Sequence, residues 1–483
     1  MSAEENTAVA QKAVADPHPR PRVAGFADWV NSPVVRSVAS SLPQGGIRFL
    51  GRAPGGLEIL GGLSDYAGSA VVVQPVREFA FAAAQARSDG HLTVVLPRED
   101  GCSPWIVPWS RILGAEGAPI SADEGRKLVG DSPGSTTLCV VGAVAELLRS
   151  KSHYGRYEGL AVAVTYTEST AEGCANETSL IAATLIAVAA ALDMTLDPHE
   201  AAVICQQVEN AWLGDAVGVG HALSVLMARP NTLGLIQCDP HRELAHRELP
   251  DDVMLLAIAC HASQSDFSRK YEQVRTASFM GRLLADRIAR HDRPKSVSWD
   301  GYLSGISADA YVEHFRDRIP TKFKGGDFLE HFGETGDPLT RIEPRTIYKV
   351  RSRTEHHIYE HLRARQFYDC LDRACDGDEE ALAEAGVLMN ASHWSYGQRC
   401  GLGCIETDFM VNAIRRQKQP DIFGAKLTGR GGGGFVVVLM RPTDQAFEAI
   451  GRATRQYSEK TEKPVTIHRD AVPGAYVTGP VVV

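Results

Sequence analysis

The chain has 483 residues, too many for one compact core, and its 44% hydrophobic and 23% charged residues are those of an ordinary globular protein. A formal net charge of -9 argues against nucleic acid or an anionic membrane as main partner, because polyanion binding needs a basic face. The ten cysteines form no CxxC pair, so reduced and mostly buried thiols are expected, and Cys400 with Cys404 lacks the second ligand pair of a structural zinc site.

The polar start, Met1 to Asn6, has no basic segment leading into an apolar run, and residues 1–24 read as a flexible arm. A strand-like stretch, Ile47–Arg52, runs into Ala-Pro-Gly-Gly at 53–56 and Leu-Glu-Ile-Leu at 57–60. Apolar runs at Ala70–Val76 and Leu92–Leu96 continue the strand character, as does Ala161–Tyr166. A polar turn then leads to a long apolar helix over Leu180–Leu192, too short to span a bilayer and flanked by Glu177 and Asp193. Asp197-Pro198 opens a further helix, Glu200–Trp212, with proline in its first turn. Val253–Ala259 is strand-like and Tyr271–Arg290 has helical spacing. Residues 292–350, polar and broken by Pro and Gly, read as an insertion or lid, and helices are predicted over 354–374 and 378–390. The glycine run at 429–434 precedes a β-rich stretch, Phe435–Met440; a helix at Gln445–Glu459 and a terminal strand close the chain. The expected architecture is a βαβ-rich N-terminal half and an α+β C-terminal half, in a cytoplasmic protein.

Three separated segments carry a resemblance. Arg52-Ala-Pro-Gly-Gly-Leu-Glu-Ile-Leu-Gly-Gly-Leu-Ser-Asp65-Tyr66-Ala-Gly-Ser69 resembles the N-terminal sugar-binding signature of galactokinases, and its Gly-Gly-Leu-Ser-Asp-Tyr form that of plant-type L-arabinokinases. Gln206-Gln-Val-Glu209-Asn210 through Gly214 to Gly218-Val219 resembles the helix and loop that bring the catalytic carboxylate to the sugar. Gly424-Ala-Lys-Leu-Thr428-Gly-Arg-Gly-Gly-Gly-Gly434 is similar to the C-terminal glycine-rich motif of GHMP kinases. Several ordered matches, covering roughly residues 45–480, are far more specific than one glycine-rich loop. The resemblance implies an α/β plus α+β, two-domain GHMP kinase fold with a central cleft: a ribosomal S5-like N-terminal domain over 25–235, and a ferredoxin-like C-terminal domain over 236–483 with its insertion at about 292–350. It also implies ATP-dependent phosphorylation of a monosaccharide at the anomeric hydroxyl, with arabinose or galactose as the family's substrates.

Carried over residue by residue, Asp65 would accept hydrogen bonds from two sugar hydroxyls, or close its own loop as an Asx turn. Tyr66 would line the same pocket or pack as a half-buried core tyrosine. Gly62, Gly218, Gly431 and Gly432 would let backbone approach the sugar, while Gly173, Asn176, Glu177, Thr178, Ser179, Thr428 and Gly429 would face the nucleotide.

The chain departs from the family in three places. Phosphoryl transfer asks the protein for placement and charge neutralisation, which galactokinase-like enzymes supply with an Arg, an Asp and a Gly/Ser loop at a helix N-terminus. The Arg position here is Gly56, which offers no charge. The Asp position is His221, an imidazole whose ordinary pKa near neutrality suits a general base. In the phosphate loop only Gly173 survives, and Ala175-Asn176-Glu177 stand where serines are expected, with Thr178 and Ser179 as substitute hydroxyls. A carboxylate within about 5 Å of a triphosphate costs on the order of 1–3 kcal/mol at an effective dielectric near 20–60. Glu177 offsets that only as a magnesium ligand.

The expectation is a GHMP protein that binds a sugar or sugar-like ligand, with phosphoryl transfer degenerate: a pseudokinase or repurposed enzyme, which leaves room for a protein partner. The alternative is an active ATP:monosaccharide 1-phosphotransferase, using ATP and Mg2+, with His221 and residues 172–179 as a remodelled site. Two further features read as ordinary. His356, His357 and His361 sit on a predicted helix, with His357 and His361 at metal-ligand spacing, and are expected to form a solvated polar face. Glu168, Glu172 and Glu177 with His221 would otherwise make an acidic pocket for a cation or amine.

Overall fold

The computed structural model of the protein describes residues 32–96, 104–114, 117–130, 135–151, 157–166, 176–229, 232–238, 241–262, 267–292, 299–432, 434–469 and 472–482. The expected N-terminal arm, Gly173, Glu168 and Glu172 lie outside these residues. In chain order the strands are β1 (Phe49–Leu60), β2 (Ala70–Ala86), β3 (His91–Val95), β4 (Trp105–Pro108), β5 (Leu160–Tyr166), β6 (Thr232–Cys238), β7 (His241–Glu248) and β8 (Met254–Ala259). They continue with β9 (Phe323–Lys324), β10 (Ile347–Tyr348), β11 (Ile422–Leu427), β12 (Phe435–Met440), β13 (Thr466–His468) and β14 (Val481–Val482).

The first sheet has the order β14-β1-β2-β5-β3-β4, with β6 on β2 and β7 on β6. Its spine is the antiparallel pair β1 and β2. β1 does not stop at Pro54; it runs through it, with register shifts between Pro54 and Gly55 and between Glu58 and Leu60. Proline cannot donate to a ladder, and a bulge is one of the few places in a strand that tolerates it. β2 is far longer than the Ala70–Val76 run expected, because it serves two neighbours: Ala70–Val73 pair with β6 and Ala80–Ala86 with β5. The apolar helix is observed at Glu177–Ala191, with every residue from Thr178 to Ala189 buried, as befits a helix with no polar face. It lies so close to β1 that a Cβ on Gly51 would sit 2.2 Å from the Ala183 carbonyl oxygen. The Pro198–Gln207 helix continues as a π turn, Val208–Leu213, and ends at Gly214 with φ 82°.

The second sheet is antiparallel, in the order β11-β12-β8-β13, and packs against the helices Glu380–Ser395, Ile405–Arg416 and Asp444–Thr461. The α/β plus α+β division is therefore the observed one. β6 runs across the division expected after residue 235 and β7 extends the same sheet, so we place that division after Glu248. One apolar cluster joins the two parts: Leu57, Ile59 and Val72 of the first sheet meet Leu255, Val437 and Leu439 of the second, with Phe367 and Leu371 of the Val350–Cys375 helix between them.

The segment expected as an insertion or lid is packed. Tyr311, Phe315 and Phe328 are fully buried in a cluster with Met280 of the Phe267–Asp292 helix and Ile358 of the Val350–Cys375 helix. Its Asp337 holds Arg275 in a two-pronged ion pair, Nε to Oδ2 at 2.9 Å and Nη2 to Oδ1 at 3.0 Å. Among the described residues no helix is long and apolar enough to cross a membrane. The eight described cysteines are free thiols, and six of them are buried.

Candidate functional site

A cleft of about 180 Å³, open to solvent, lies where the two sheets meet. β1 gives it Gly56, Leu57 and Glu58; the short helical turn Gly62–Ala67 gives Gly62 and Asp65. Asn176 and Thr178 come from the start of the apolar helix, Glu209 from the π turn, and Gly218 and His221 from the loop and helix that follow. Phe267, Tyr271 and the β11–β12 loop from Thr428 to Gly434 close the far side.

Asp65 meets both of its sequence readings. Its Oδ1 accepts from the Tyr66 N–H at 2.6 Å and its Oδ2 from the Gly220 N–H at 3.3 Å, so it closes the turn while still lining the cleft. A Cβ on Gly218 would lie 2.1 Å from the Asp65 Cγ, so only glycine leaves room for that carboxyl group. Burial raises Asp65 to about 6, against the pull of those two N–H groups and of Arg275. Burial and then Asp65 itself raise Glu58 to about 8, and burial raises Glu209 to about 7 despite the hydroxyl bond from Thr178.

Gly56 and His221, the two positions expected to depart from the family's Arg and Asp, are in contact. A Cβ on Gly56 would stand 2.8 Å from Cε1 and 3.1 Å from Nδ1 of His221. The imidazole fills the space that any side chain at 56 would need. Its Nε2 lies 3.3 Å from Oδ1 of Asn176, and that same oxygen caps the apolar helix by accepting from the Ser179 N–H at 3.4 Å. Burial and the Arg430 guanidinium hold His221 down at about 4, so the near-neutral base expected from the sequence is corrected: desolvation of the imidazolium keeps the ring uncharged and weakly basic.

The phosphate-loop residues divide. Asn176 and Thr178 line the cleft, whereas Ser179 is fully buried and donates its hydroxyl to the Pro54 carbonyl at 2.8 Å. Glu177 is half-buried at the first helical position and does not line the cleft, although its charge is near enough to add to the rise of Glu209. Glu58, Asp65 and Glu209 are the acids of the cleft wall. Among the described residues no group of three or more His, Cys, Asp or Glu side chains is placed to hold a metal. Among the described residues a side chain occupies a donor of the helix N-terminus, and three carboxyl groups share the cleft with the guanidinium of Arg430.

Thr428, Gly429 and Gly431 line the cleft, but Gly432 packs on Phe267, whose Cδ2 lies 1.8 Å from where its Cβ would be. Tyr66 takes the core reading. It stacks on Phe279 at 6.0 Å, lies under Arg275 at 4.7 Å, and its hydroxyl meets His357 Nε2 at 3.2 Å.

The histidines overturn their expectation. His356 and His357 are fully buried, not solvated, because the Gly62–Ala67 turn, the 299–349 segment and the Glu380–Ser395 helix cover that side of the Val350–Cys375 helix. His357 Nδ1 bonds Ser64 Oγ at 2.8 Å, His356 Nδ1 bonds Ser395 Oγ at 2.9 Å, and His361 Nδ1 accepts from the Ala70 N–H at 3.1 Å. They form a polar seam beneath the Asp65 turn. Glu58, Glu209, Arg430, Phe267 and Tyr271 were not singled out from the sequence. The available signal was an acid inside the apolar run Leu57–Leu60, which strand alternation predicts to be inward-facing or outward-facing with equal ease.

The family profile described as GHMP kinases C terminal matches residues 378–459. L-arabinokinase of Arabidopsis thaliana is 26% identical over 479 residues, covering 88% of this chain but only 46% of that protein, so the chain spans about half the length of that relative. A galactokinase of Mycobacterium tuberculosis is 27% identical over 328 residues, 66% of this chain and 74% of its own. Among solved structures, Lactococcus lactis galactokinase complexed with galactose superimposes with a TM-score of 0.64 at 17% identity, covering 88% of this chain and 94% of that one. Mevalonate kinase of Methanococcus jannaschii follows with 0.52 at 13% identity, covering 89% and 100%. With the ordered motifs and the two-sheet fold around one cleft, these likenesses support a GHMP-type sugar kinase, similar to L-arabinokinase and galactokinase and sharing the galactokinase fold.

Proposed function

We propose that the cleft binds a monosaccharide or similar polyhydroxylated molecule through Asp65 and the glycine-rich loops, and that the phosphoryl transfer of its relatives is lost or strongly weakened. The protein would then act as a sensor, a scaffold or a repurposed enzyme. The observation that carries this reading is the packing of His221 into the space above Gly56. Both positions that handle charge and proton in the family are used up in one uncharged contact, tied to the helix cap through Asn176. Buried carboxyl groups suit hydroxyl ligands, which accept and donate, better than they suit a polyanion.

A second reading, a working kinase using ATP and Mg2+, is favoured by Arg430 alone. Its guanidinium lies 5.5 Å from the Tyr271 ring centre at the cleft mouth and offers the charge that Gly56 lacks. Calorimetry with Mg-ATP, L-arabinose and D-galactose, run beside an ADP-release assay, separates the two. Sugar binding without turnover is expected. Tight nucleotide binding together with turnover ends the pseudokinase reading.

A further inference from the structure

Glu58 is 5% exposed, yet its carboxyl group lines the cleft, and among the described residues no hydrogen bond satisfies that side chain. A buried polar group without a partner is costly unless something fills the vacancy, and here the open side is the cleft. Three glycines make the room. A Cβ on Gly62 would meet Glu58 Oε2 at 2.4 Å, and one on Gly218 would overlap the Asp65 carboxyl group. One on Gly220 would touch both residues, Asp65 Cβ at 3.2 Å and Glu58 Oε1 at 3.3 Å. The two carboxyl groups are therefore neighbours in a niche of bare backbone, and both face the same space.

We infer that Glu58 is a ligand-binding residue that works as a pair with Asp65: one carboxyl donates a hydrogen bond and the other accepts one, so the pair grips neighbouring oxygens of a polyhydroxylated ligand. This rests on the reading of the cleft as a sugar site. Two close carboxyl groups do not ionise together, so one proton stays on the pair at neutral pH. Glu58, raised to about 8 by burial and Asp65, is the member that keeps it. Arg430 and Lys426 from the second sheet and its loop pull the other way, and Glu209 from the π turn adds to the rise. Arg275 pulls Asp65 down, and Tyr271, Glu360, which accepts from the Gly61 N–H, and the uncharged His221 also face the pair.

The test has two arms. Without ligand, thermal unfolding of the wild type and Glu58→Gln is followed from about pH 5 to 9. The folded state keeps the Glu58 proton up to about 8, whereas the unfolded chain releases it near the ordinary 4.5, so its contribution is complete below that value and is lost as pH rises through about 8. Glu58→Gln has nothing to lose, so its melting temperature should gain steadily on the wild type across that range. With L-arabinose and D-galactose in a calorimeter, wild-type affinity should fall about tenfold between pH 7 and 9, as one unit above a pKa dictates. Glu58→Gln should lose less than about threefold over the same span, and Glu58→Ala should bind at least about tenfold more weakly than wild type at pH 7. Parallel melting curves, or an alkaline loss of affinity that survives in Glu58→Gln, would overturn the pair. Diverging melting curves with no heat from either sugar would instead overturn the sugar reading and the ligand role with it, leaving only the shared proton.

Discussion

Replacing Gly56 by arginine, the residue the family carries there, should damage this protein unless His221 is replaced too. The Cβ alone would come within 2.8 Å of His221 Cε1 and 3.2 Å of Val225 Cγ2. Gly56 sits in β1 opposite Pro75, so the strand cannot retreat without losing its ladder; the imidazole has to swing out and give up Asn176. Overpacking of this kind costs about 1–3 kcal/mol. His221→Asp removes most of the ring and opens the same space. Gly56→Arg with His221→Asp should then be more stable than the sum of the single effects by about 1 kcal/mol or more, since contacting residues couple by roughly 0.5–3 kcal/mol. Urea unfolding of the four proteins, with equal slopes, gives the coupling directly. Additivity within about 0.5 kcal/mol would refute the view that the two departures from the family are one steric exchange.

Gly218→Ala would force a methyl group into the Asp65 carboxyl; a loss of about 1–3 kcal/mol in urea unfolding is expected, with sugar binding abolished in calorimetry. Asp337→Asn breaks the buried pair with Arg275, whose side chains are 0% and 5% exposed, and should cost about 3–5 kcal/mol. Against the rise from burial, Arg275 holds Asp337 below its usual value; that stability is present above pH 3.8 and lost as pH falls further, so the penalty of Asp337→Asn should shrink in strong acid. His357, held down at about 3 by burial, stays neutral while the unfolded chain takes up a proton near 6.5, so stability is full above that value and falls as pH drops toward 3. His357→Gln should flatten that acid slope by up to about 1.4 kcal/mol per pH unit, read from unfolding between pH 7 and 5; an unchanged slope would rule the mechanism out.

The elements were legible where local pattern decides them. The run from Leu180 to Leu192 has no polar face, and a helix of that kind has nowhere to go but inside. The strand-like stretch is legible over Ile47–Arg52, but its passage through Pro54 by a bulge is a tertiary accommodation with β2, invisible to a rule about single residues. The histidines of the Val350–Cys375 helix looked solvated because their partners, Ser64 and Ser395, are 293 and 39 residues away in sequence. Asp65, Gly218 and His221 were found because motifs carried them. Glu58 and Arg430 were not, because their importance lies in what faces them across the cleft, and that depends on how the two sheets meet.

The apolar cluster that takes side chains from both sheets has a mechanical consequence. A hinge that swung the halves apart would expose Leu57, Val437 and Phe367 to water at about 2 kcal/mol for each side chain uncovered. Rigid-body gaping is therefore closed to this molecule as a way of admitting cargo. Exchange then falls to local backbone motion at the mouth, where Gly429, at φ 65° and with open space where a Cβ would stand, borders the cleft, and dwell time becomes a property of that short segment rather than of the whole body.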